Sequence, residues 1–224
     1  DQAGAQTARL CQGIQAHFLG DYPHATALLE EVSRAYQDLG DRRGESYALL
    51  NLGIIPHLQA DYGRAAALYT EGLTLFRELG DTFGVGNQLA NLANIARDLG
   101  DFTEATRLHR ESLEVRIAIM DRPGFAECFE GLAVCAAGEG QPYRAARLFG
   151  AAEVIREAIG RPVELLDRAA HNRVVPAVRA ELGEDAFAAA WAEGQVMPLE
   201  EALAYAMESG PPADSQHSSH ERGF

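Results

Sequence analysis

Apolar residues recur along this chain at the spacing of an α-helix, most clearly near residue 90. Leu89, Leu92, Ala93 and Ala96 lie at positions i, i+3, i+4 and i+7, which places their side chains on one helical face. A second apolar stripe follows after a break at Gly100. The pattern therefore predicts one helix over residues 83–99 and another over residues 102–119.

The breaks between the apolar stripes return at intervals of 40 residues. The sequence Gly-Asp-Phe at 100–102 has counterparts that begin at residues 20, 60 and 140. A second break, such as Leu-Gly-Asp at 79–81, lies midway between them and keeps the same interval. Two breaks per interval predict two helices per repeat, and repeats of this length bury their apolar faces by stacking on their neighbours.

The turn at residue 100 has the residues that end one helix and begin the next. Gly100 is suited to the left-handed conformation that terminates a helix. Asp101 followed by Glu104 is the pattern of an N-cap residue with a reciprocal capping partner. The sequence therefore predicts that Asp101 caps the second helix and that Glu104 caps Asp101 in return.

Several of these residues together resemble the tetratricopeptide repeat. They are Leu52-Gly53, the Gly-Asp-Phe at 100–102, the alanines at 65, 105 and 145, and the aromatic residues Tyr69 and Phe149. The period is longer than the usual ~34 residues and is similar to the longer-helix repeats of kinesin light chains and bacterial signalling proteins. The resemblance implies an all-α, right-handed superhelical solenoid of helix hairpins, with four repeats over residues 1–159.

The 40-residue period fails after Gly160. Residues 160–209 retain helical spacing, as in Phe187 and Trp191 at i and i+4, and we expect them to form C-terminal helices that cap the open end of the stack. Residues 210–224 have almost no apolar content, which predicts a disordered tail or linker.

The C-terminal part also carries a second resemblance. The segments 146–152, 156–160, 190–194 and 199–202 are similar to the end of the repeat domain in LuxR- and AfsR-like signalling ATPase regulators, the class that includes the maltose regulator MalT. This resemblance implies a sensor or interaction module of a larger bacterial transcriptional or signalling regulator. The ATPase or DNA-binding domains would then lie outside this segment, which begins at Asp1 and reads as a piece of a longer protein.

The charge and composition exclude several functions. All 19 basic residues are arginines, and they are outnumbered by 33 acidic residues for a net charge of -14, so direct nucleic-acid binding is unfavourable. A phosphate-binding P-loop and a Schiff base both need a lysine, which this chain lacks. No apolar run approaches the ~20 residues of a membrane span. The three cysteines form no C-x-x-C pair, and we expect a reducing, cytoplasmic location.

Polar residues on the predicted first helices suggest a binding groove. Counting at about 100° per residue places them opposite the apolar stripe, and asparagine amides in such a row can hold an extended peptide by its backbone. The repeat resemblance lends this role to Asn51 and Asn91 in particular. We expect Arg97 to pair with a ligand carboxylate. The candidate residues are Tyr47, Asn51, Asn87, Asn91, Asn94 and Arg97. In the alternative interpretation, asparagine before Leu-Gly is a common residue of this repeat without a role in binding.

The sequence therefore predicts a module that binds a protein or peptide through a concave groove. Two alternatives stay open: a small-molecule effector domain of a regulator, and a structural scaffold for homo-oligomerisation. No nucleophile stands beside a base in the sequence, and the histidines lie at scattered helical positions, so we expect no enzyme activity, no cofactor and no metal site.

Overall fold

The computed structural model describes residues 2–163 and 165–208. Within these ranges the chain forms α-helices joined by short turns and contains no strand, which confirms the all-α prediction. The helices are α1 (Gln2–Phe18), α2 (Tyr22–Leu39), α3 (Arg42–Leu58), α4 (Tyr62–Leu79), α5 (Thr82–Asp98), α6 (Phe102–Ala118), α7 (Arg122–Gly138), α8 (Pro142–Ile159), α9 (Leu165–Leu182), α10 (Glu184–Val196) and α11 (Leu199–Met207).

The helices agree with the two predicted for the third repeat to within one residue at each end. Successive helices pair into hairpins, for example α1 with α2, α3 with α4, and α7 with α8. The chain divides into two compact units, Asp1–Ile95 and Ala96–Phe224, which we call unit 1 and unit 2. Helix α5 crosses the division. The predicted tail at 210–224 lies outside the residues that the structure describes.

The turn within the third repeat has the predicted chemistry at its glycine and aspartate. Gly100 has a φ of 83°, and the Asp101 side chain accepts a hydrogen bond from the Glu104 backbone N–H. The reciprocal capping by Glu104 was wrong. The Asp101 N–H donates to Ala96 O instead, because the preceding helix offers that carbonyl, and the Glu104 carboxylate pairs with Arg107.

The turns between repeats combine an aspartate cap with a glycine that makes room for a large neighbour. Asp81 accepts from the Gly84 N–H, and a Cβ placed on Gly84 would lie 2.1 Å from the Phe76 ring. Gly44 stands in the same relation to Tyr36, at 2.4 Å, and Gly124 to Arg116, at 1.8 Å. These glycines let the next helix approach the large side chain closely.

The core of unit 2 includes the predicted capping helices. Phe187 and Ala190 of α10 and Ala202 and Ala206 of α11 are buried with residues of α7 and α8. Helices α8 and α10 are closest at Gly150 and Gly194, where an added Cβ would lie 2.2 and 2.0 Å from a backbone oxygen of the other helix. Pro198 is the N-cap residue of α11. None of the helices within the described ranges is long and apolar enough to cross a membrane.

Candidate functional site

One face of α3 in unit 1 is left partly exposed along the whole helix. It carries a mixture of apolar and polar side chains at helical spacing. The corresponding face of α1, 40 residues earlier in sequence, is also partly or fully exposed, and α1 contacts α3. We call these residues the open face: Thr7, Leu10, Cys11, Ile14 and Phe18 of α1, and Tyr47, Leu50, Asn51, Ile54 and Leu58 of α3.

Tyr47 is held in place at one end of the open face. Its hydroxyl donates to Asp81 Oδ2 at 3.2 Å, and its ring packs edge-on against Phe76 with centroids 5.0 Å apart. Burial, together with the nearby Asp81 carboxylate, raises the pKa of Tyr47. The side chain is therefore a neutral, fixed ring whose free edge can contact a ligand.

Asn51 lies one turn further along the open face. Its Nδ2 donates to the Tyr47 backbone oxygen of the same helix at 2.8 Å. This bond fixes the amide plane, so the Asn51 amide oxygen is the group that can accept a hydrogen bond from a ligand. Tyr47 and Asn51 thus combine a packing surface with one oriented acceptor.

The asparagines of α5 differ in exposure, and only Asn87 lies at a half-buried position. Asn91 is 8% exposed and Asn94 1% exposed. Asn91 and Asn94, which helical spacing places opposite the apolar stripe, are therefore buried and do not line an open surface. A single apolar stripe accounts for one packing face, but a helix within a stack is covered on more than one side, so the buried arc is wider than the stripe.

Arg97 is also inaccessible. Its guanidinium donates to Asp98 Oδ1 at 2.9 Å and to Asp167 Oδ1 at 2.7 Å, and its side chain is 2% exposed. Burial opposes the charge, but Asp167 and Asp98 outweigh it and raise the pKa of Arg97. A carboxylate of the same chain, Asp167, thus occupies the position where a ligand carboxylate was expected, and the role of Arg97 in ligand binding stays a prediction.

Helix α7 of unit 2 is buried at the positions where α3 of unit 1 is partly exposed. Every residue from Gly124 to Ala136 is buried except Glu127. Glu130, which corresponds to Leu50 of the open face, is 3% exposed and accepts from Arg156 Nε and Nη2 at 3.1 and 2.7 Å. Burial raises the pKa of Glu130, while the bond to Arg156 opposes that shift.

Another buried arginine lies on α6. Arg116 is 2% exposed and donates to Ser112 Oγ, Asp121 Oδ2 and Glu127 Oε2 at 2.7 to 3.0 Å. Sequence reasoning missed these ion pairs. A signal was present, since Arg116 and Arg156 stand 40 and 80 residues after Phe76, where the period calls for a large core side chain.

Three further titratable side chains of unit 2, His109, Cys128 and Cys135, are buried in its core. His109 is fully buried, and burial together with Arg97 and Arg116 lowers its pKa to about 3. Burial raises the pKa of both Cys128 and Cys135 to about 12, which keeps these thiols protonated and unreactive. Among the described residues no group of three or more potential ligands could hold a metal ion.

The comparison with known proteins bears on the third repeat. Residues 85–122 match the family model described as Tetratricopeptide repeat, and they include most of α5, the whole of α6 and both adjoining turns. No curated protein matches the chain. Tetratricopeptide repeats generally mediate protein–protein interactions, and their fold is typically non-catalytic. Residues 85–122 are therefore similar to a tetratricopeptide repeat, and the turns of the matched hairpin recur every 40 residues along the chain.

Proposed function

We propose that this chain is a protein- or peptide-binding module whose partner lies along the open face of unit 1. The observation that carries the proposal is the contrast between α3 and α7. The same helical face is partly exposed at Leu50 and Ile54 but buried at Glu130 and Val134. An exposed face that mixes apolar residues with oriented polar groups is suited to peptide recognition.

The open face offers two kinds of contact to an extended peptide. The Asn51 oxygen accepts a backbone N–H, which anchors the peptide without reading its side chains. Ile14, Phe18, Ile54 and Leu58 receive apolar side chains on either side of that anchor. Phe18 is 69% exposed, so its burial by a partner would contribute favourable hydrophobic free energy. Of the asparagines on α5, Asn87 is the one that extends this surface.

The resemblance to LuxR- and AfsR-like regulators supports a place for this module in a larger bacterial regulator of the cytoplasm. In that setting partner binding at the open face would be the sensory event, and the fused ATPase or DNA-binding domains would respond. The sequence of the complete gene product tests this part directly. A nucleotide-binding domain upstream of Asp1 is the expected result, and its absence would contradict the regulator context.

The binding proposal is tested with peptides selected on the protein itself. Peptides are selected from a randomised library, and their affinities are measured by calorimetry for the wild type, Asn51→Ala and Asn172→Ala. Asn172 is an exposed asparagine on α9 and serves as the matched control. Loss of the Asn51 hydrogen bond should weaken binding by about 1 to 3 kcal/mol, while Asn172→Ala should leave the affinity unchanged.

Cys11 provides a second, independent measurement. It is the one exposed cysteine of the three and stands on the open face at the position that corresponds to Asn51. A bulky maleimide attached to Cys11 should block the selected peptides, whereas an iodoacetamide cap of small size should block them less. Equal affinity for the wild type, the maleimide adduct and Asn51→Ala would remove the open face as the binding surface.

A further inference from the structure

The open face of unit 1 carries no charged side chain. Its ten residues are apolar, aromatic or neutral polar, although charged residues make up 23% of the chain. Any electrostatic preference for a partner therefore comes from the residues at the two ends of the face, where the helices meet their turns.

Short turns bring the C-terminal ends of α1 and α3 to the same end of unit 1. The chain reverses direction between α1 and α2 and again between α2 and α3, so α1 and α3 run the same way. Phe18 and Leu58 therefore finish the open face together, and we call this the Phe18 end. Asp21 and Asp61, the N-cap residues of α2 and α4, follow them within three residues.

The two aspartates at the Phe18 end are exposed and lack a countercharge. Each accepts the backbone N–H three residues further on, at 3.2 Å, and neither forms an ion pair with a described residue. Arg64 is the arginine closest in sequence to Asp61, but its Nη2 pairs with Glu30 Oε1 at 2.7 Å. The ring of His17 contacts Phe18, and burial lowers the pKa of His17, so it carries no positive charge at neutral pH.

The carboxylates at the Tyr47 end have arginines beside them. Asp81 Oδ2 accepts from the Tyr47 hydroxyl and from Arg43 Nη2, both at 3.2 Å. Asp41, the N-cap residue of α3, is followed directly by Arg42 and Arg43. The two ends of the open face therefore differ in charge, and the Phe18 end is the one with uncompensated negative groups.

The most exposed large apolar side chains of the described part of unit 1 also lie at the Phe18 end. Phe18 is 69% and Leu19 78% exposed, and covering them would contribute hydrophobic free energy. A lysine or arginine can pack its methylene stem on such a surface while its charged head reaches a nearby carboxylate. Exposed apolar groups beside uncompensated aspartates are thus complementary to a long basic side chain.

We infer that the partner of the open face is an extended peptide segment that places a lysine or arginine at the Phe18 end. The inference rests on the proposed binding function of the open face and adds the charge of the partner and its placement along the face. The stem of the basic residue packs on Phe18 and Leu19, and its head group pairs with Asp21 and Asp61. The net charge of -14 attracts the same partner at longer range.

Paired peptides test the contact with the two aspartates. A peptide selected on the wild-type protein, and a copy with its lysine or arginine replaced by glutamine, are titrated against the wild type, Asp21→Asn, Asp61→Asn and Asp41→Asn. Asparagine keeps the N-cap, and Asp41→Asn is the matched control because it removes the same charge from the other end of α3. The basic peptide should bind Asp21→Asn and Asp61→Asn about two- to fivefold more weakly, whereas the glutamine copy should bind all four proteins equally.

Charged thiol reagents test the Phe18 end without a peptide. In the double variant Cys11→Ser, Leu19→Cys the exposed thiol stands two residues before Asp21. The ratio of its reaction rates with a cationic and an anionic methanethiosulfonate, divided by the same ratio for mercaptoethanol, should be about threefold or more at 0.01 M salt, where charges act over about 30 Å. Adding Asp21→Asn should lower this ratio, and adding Asp41→Asn should leave it unchanged.

The outcomes separate this inference from the proposed function. If Asn51→Ala weakens the selected peptides but Asp21→Asn and Asp61→Asn do not, the open face binds peptides and the basic residue is wrong. A normalised rate ratio of one at Leu19→Cys, or selected peptides that are neutral or acidic, would overturn the inference as well. A dimer of the chain that the selected peptides dissociate would assign the face to a second copy and would also overturn it.

Discussion

The two units fill one repeat position with side chains of opposite character. In unit 1 the position is aromatic, Tyr36 and Phe76, and in unit 2 it is Arg116 and Arg156, yet all four residues are at most 7% exposed. A glycine admits the side chain in both units, Gly84 beside Phe76 and Gly124 beside Arg116. The helix hairpin therefore needs a large side chain at this point, and its geometry does not require that side chain to be apolar.

The difference changes how each unit responds to the loss of a neighbour. A buried aromatic side chain is stabilised by contacts that many residues share, each of them small. A buried arginine depends on a few carboxylates, here Asp121 and Glu127 for Arg116 and Glu130 for Arg156. Unit 2 should therefore be the more vulnerable of the two to single polar substitutions, and unit 1 the more tolerant.

Removing Glu130 should produce the largest effect. Glu130→Ala takes away the carboxylate that neutralises Arg156 in the core and should lower the free energy of unfolding by about 3 to 5 kcal/mol. Urea denaturation measures the loss, and hydrogen exchange should place it in unit 2. Glu104→Ala, which removes an exposed partner of Arg107, is the control and should cost less than about 1 kcal/mol.

A double variant sharpens the same comparison. Glu130→Leu with Arg156→Phe gives unit 2 the residues found at positions 50 and 76 of unit 1. Replacing a buried ion pair by apolar residues is often neutral or stabilising, so the double variant should recover most of the stability lost in Glu130→Ala. If it is as unstable as the single variant, the two units are not interchangeable at this position.

Closing the space beside the aromatic residue should have the next largest effect. In Gly84→Ala the new methyl group would lie 2.1 Å from the fully buried Phe76 ring, and the resulting overpacking should cost about 1 to 3 kcal/mol. Gly63→Ala is the matched control on α4, because its nearest neighbour is 4.0 Å away. Since alanine favours a helix, the control should be stabilised by up to about 1 kcal/mol. Thermal denaturation of both variants measures the contrast.

The pH dependence of stability should report on the buried His109 of unit 2. Because the pKa of His109 is lowered to about 3 in the folded state, the unfolded chain binds the extra proton as the pH falls below about 6.5. The stability from neutral His109 is complete above that pH and is lost as the pH falls toward about 3. The slope reaches about 1.4 kcal/mol per pH unit.

His109→Leu tests this assignment with the residue found at the equivalent position 29. The variant lacks the titrating group. Between pH 6.5 and pH 4.5 the wild type should therefore lose more unfolding free energy than the variant does. Urea denaturation at several pH values gives both curves. Parallel curves over this range would show that His109 is not the group responsible.

The smallest effect concerns thiol reactivity and leaves stability unchanged. Cys11 lies exposed on the open face, whereas Cys128 and Cys135 are buried in unit 2 with pKa values raised to about 12. A thiol reagent such as Ellman's should therefore label one cysteine in the native protein and three in denaturant. Rapid labelling of a second thiol in the native state would mean that unit 2 opens more readily than its burial indicates.

Local chemistry explains which parts of the fold were predictable. A helix end is specified by a few adjacent residues, so Gly100 and Asp101 were enough to predict the turn between α5 and α6. The 40-residue interval then predicted a turn at the equivalent positions of the other repeats. The reciprocal cap predicted at Glu104 did not form, because the N–H of Asp101 donates to a competing acceptor, Ala96 O. The sequence does not contain the information about which of two acceptors lies closer.

The candidate site was predicted only in part, for a reason that concerns long-range contacts. Sequence spacing placed Tyr47, Asn51, Asn87, Asn91, Asn94 and Arg97 on a common face, and their role in binding stays a proposal. Spacing alone gave no sign that Asn91 and Asn94 are buried. The burial of a polar residue depends on what packs over it, and that neighbour can come from any distance along the chain.

The sequence by itself determined the helices, their turns and the repeat, because each depends on residues within one or two helical turns. Only the tertiary structure decided that Arg97 binds Asp167 across 70 residues and that Glu130 neutralises Arg156. Buried charges must find opposite charges wherever the fold brings them together. In this chain the opposite charges are brought together from helices far apart in sequence, which spacing along one helix does not show.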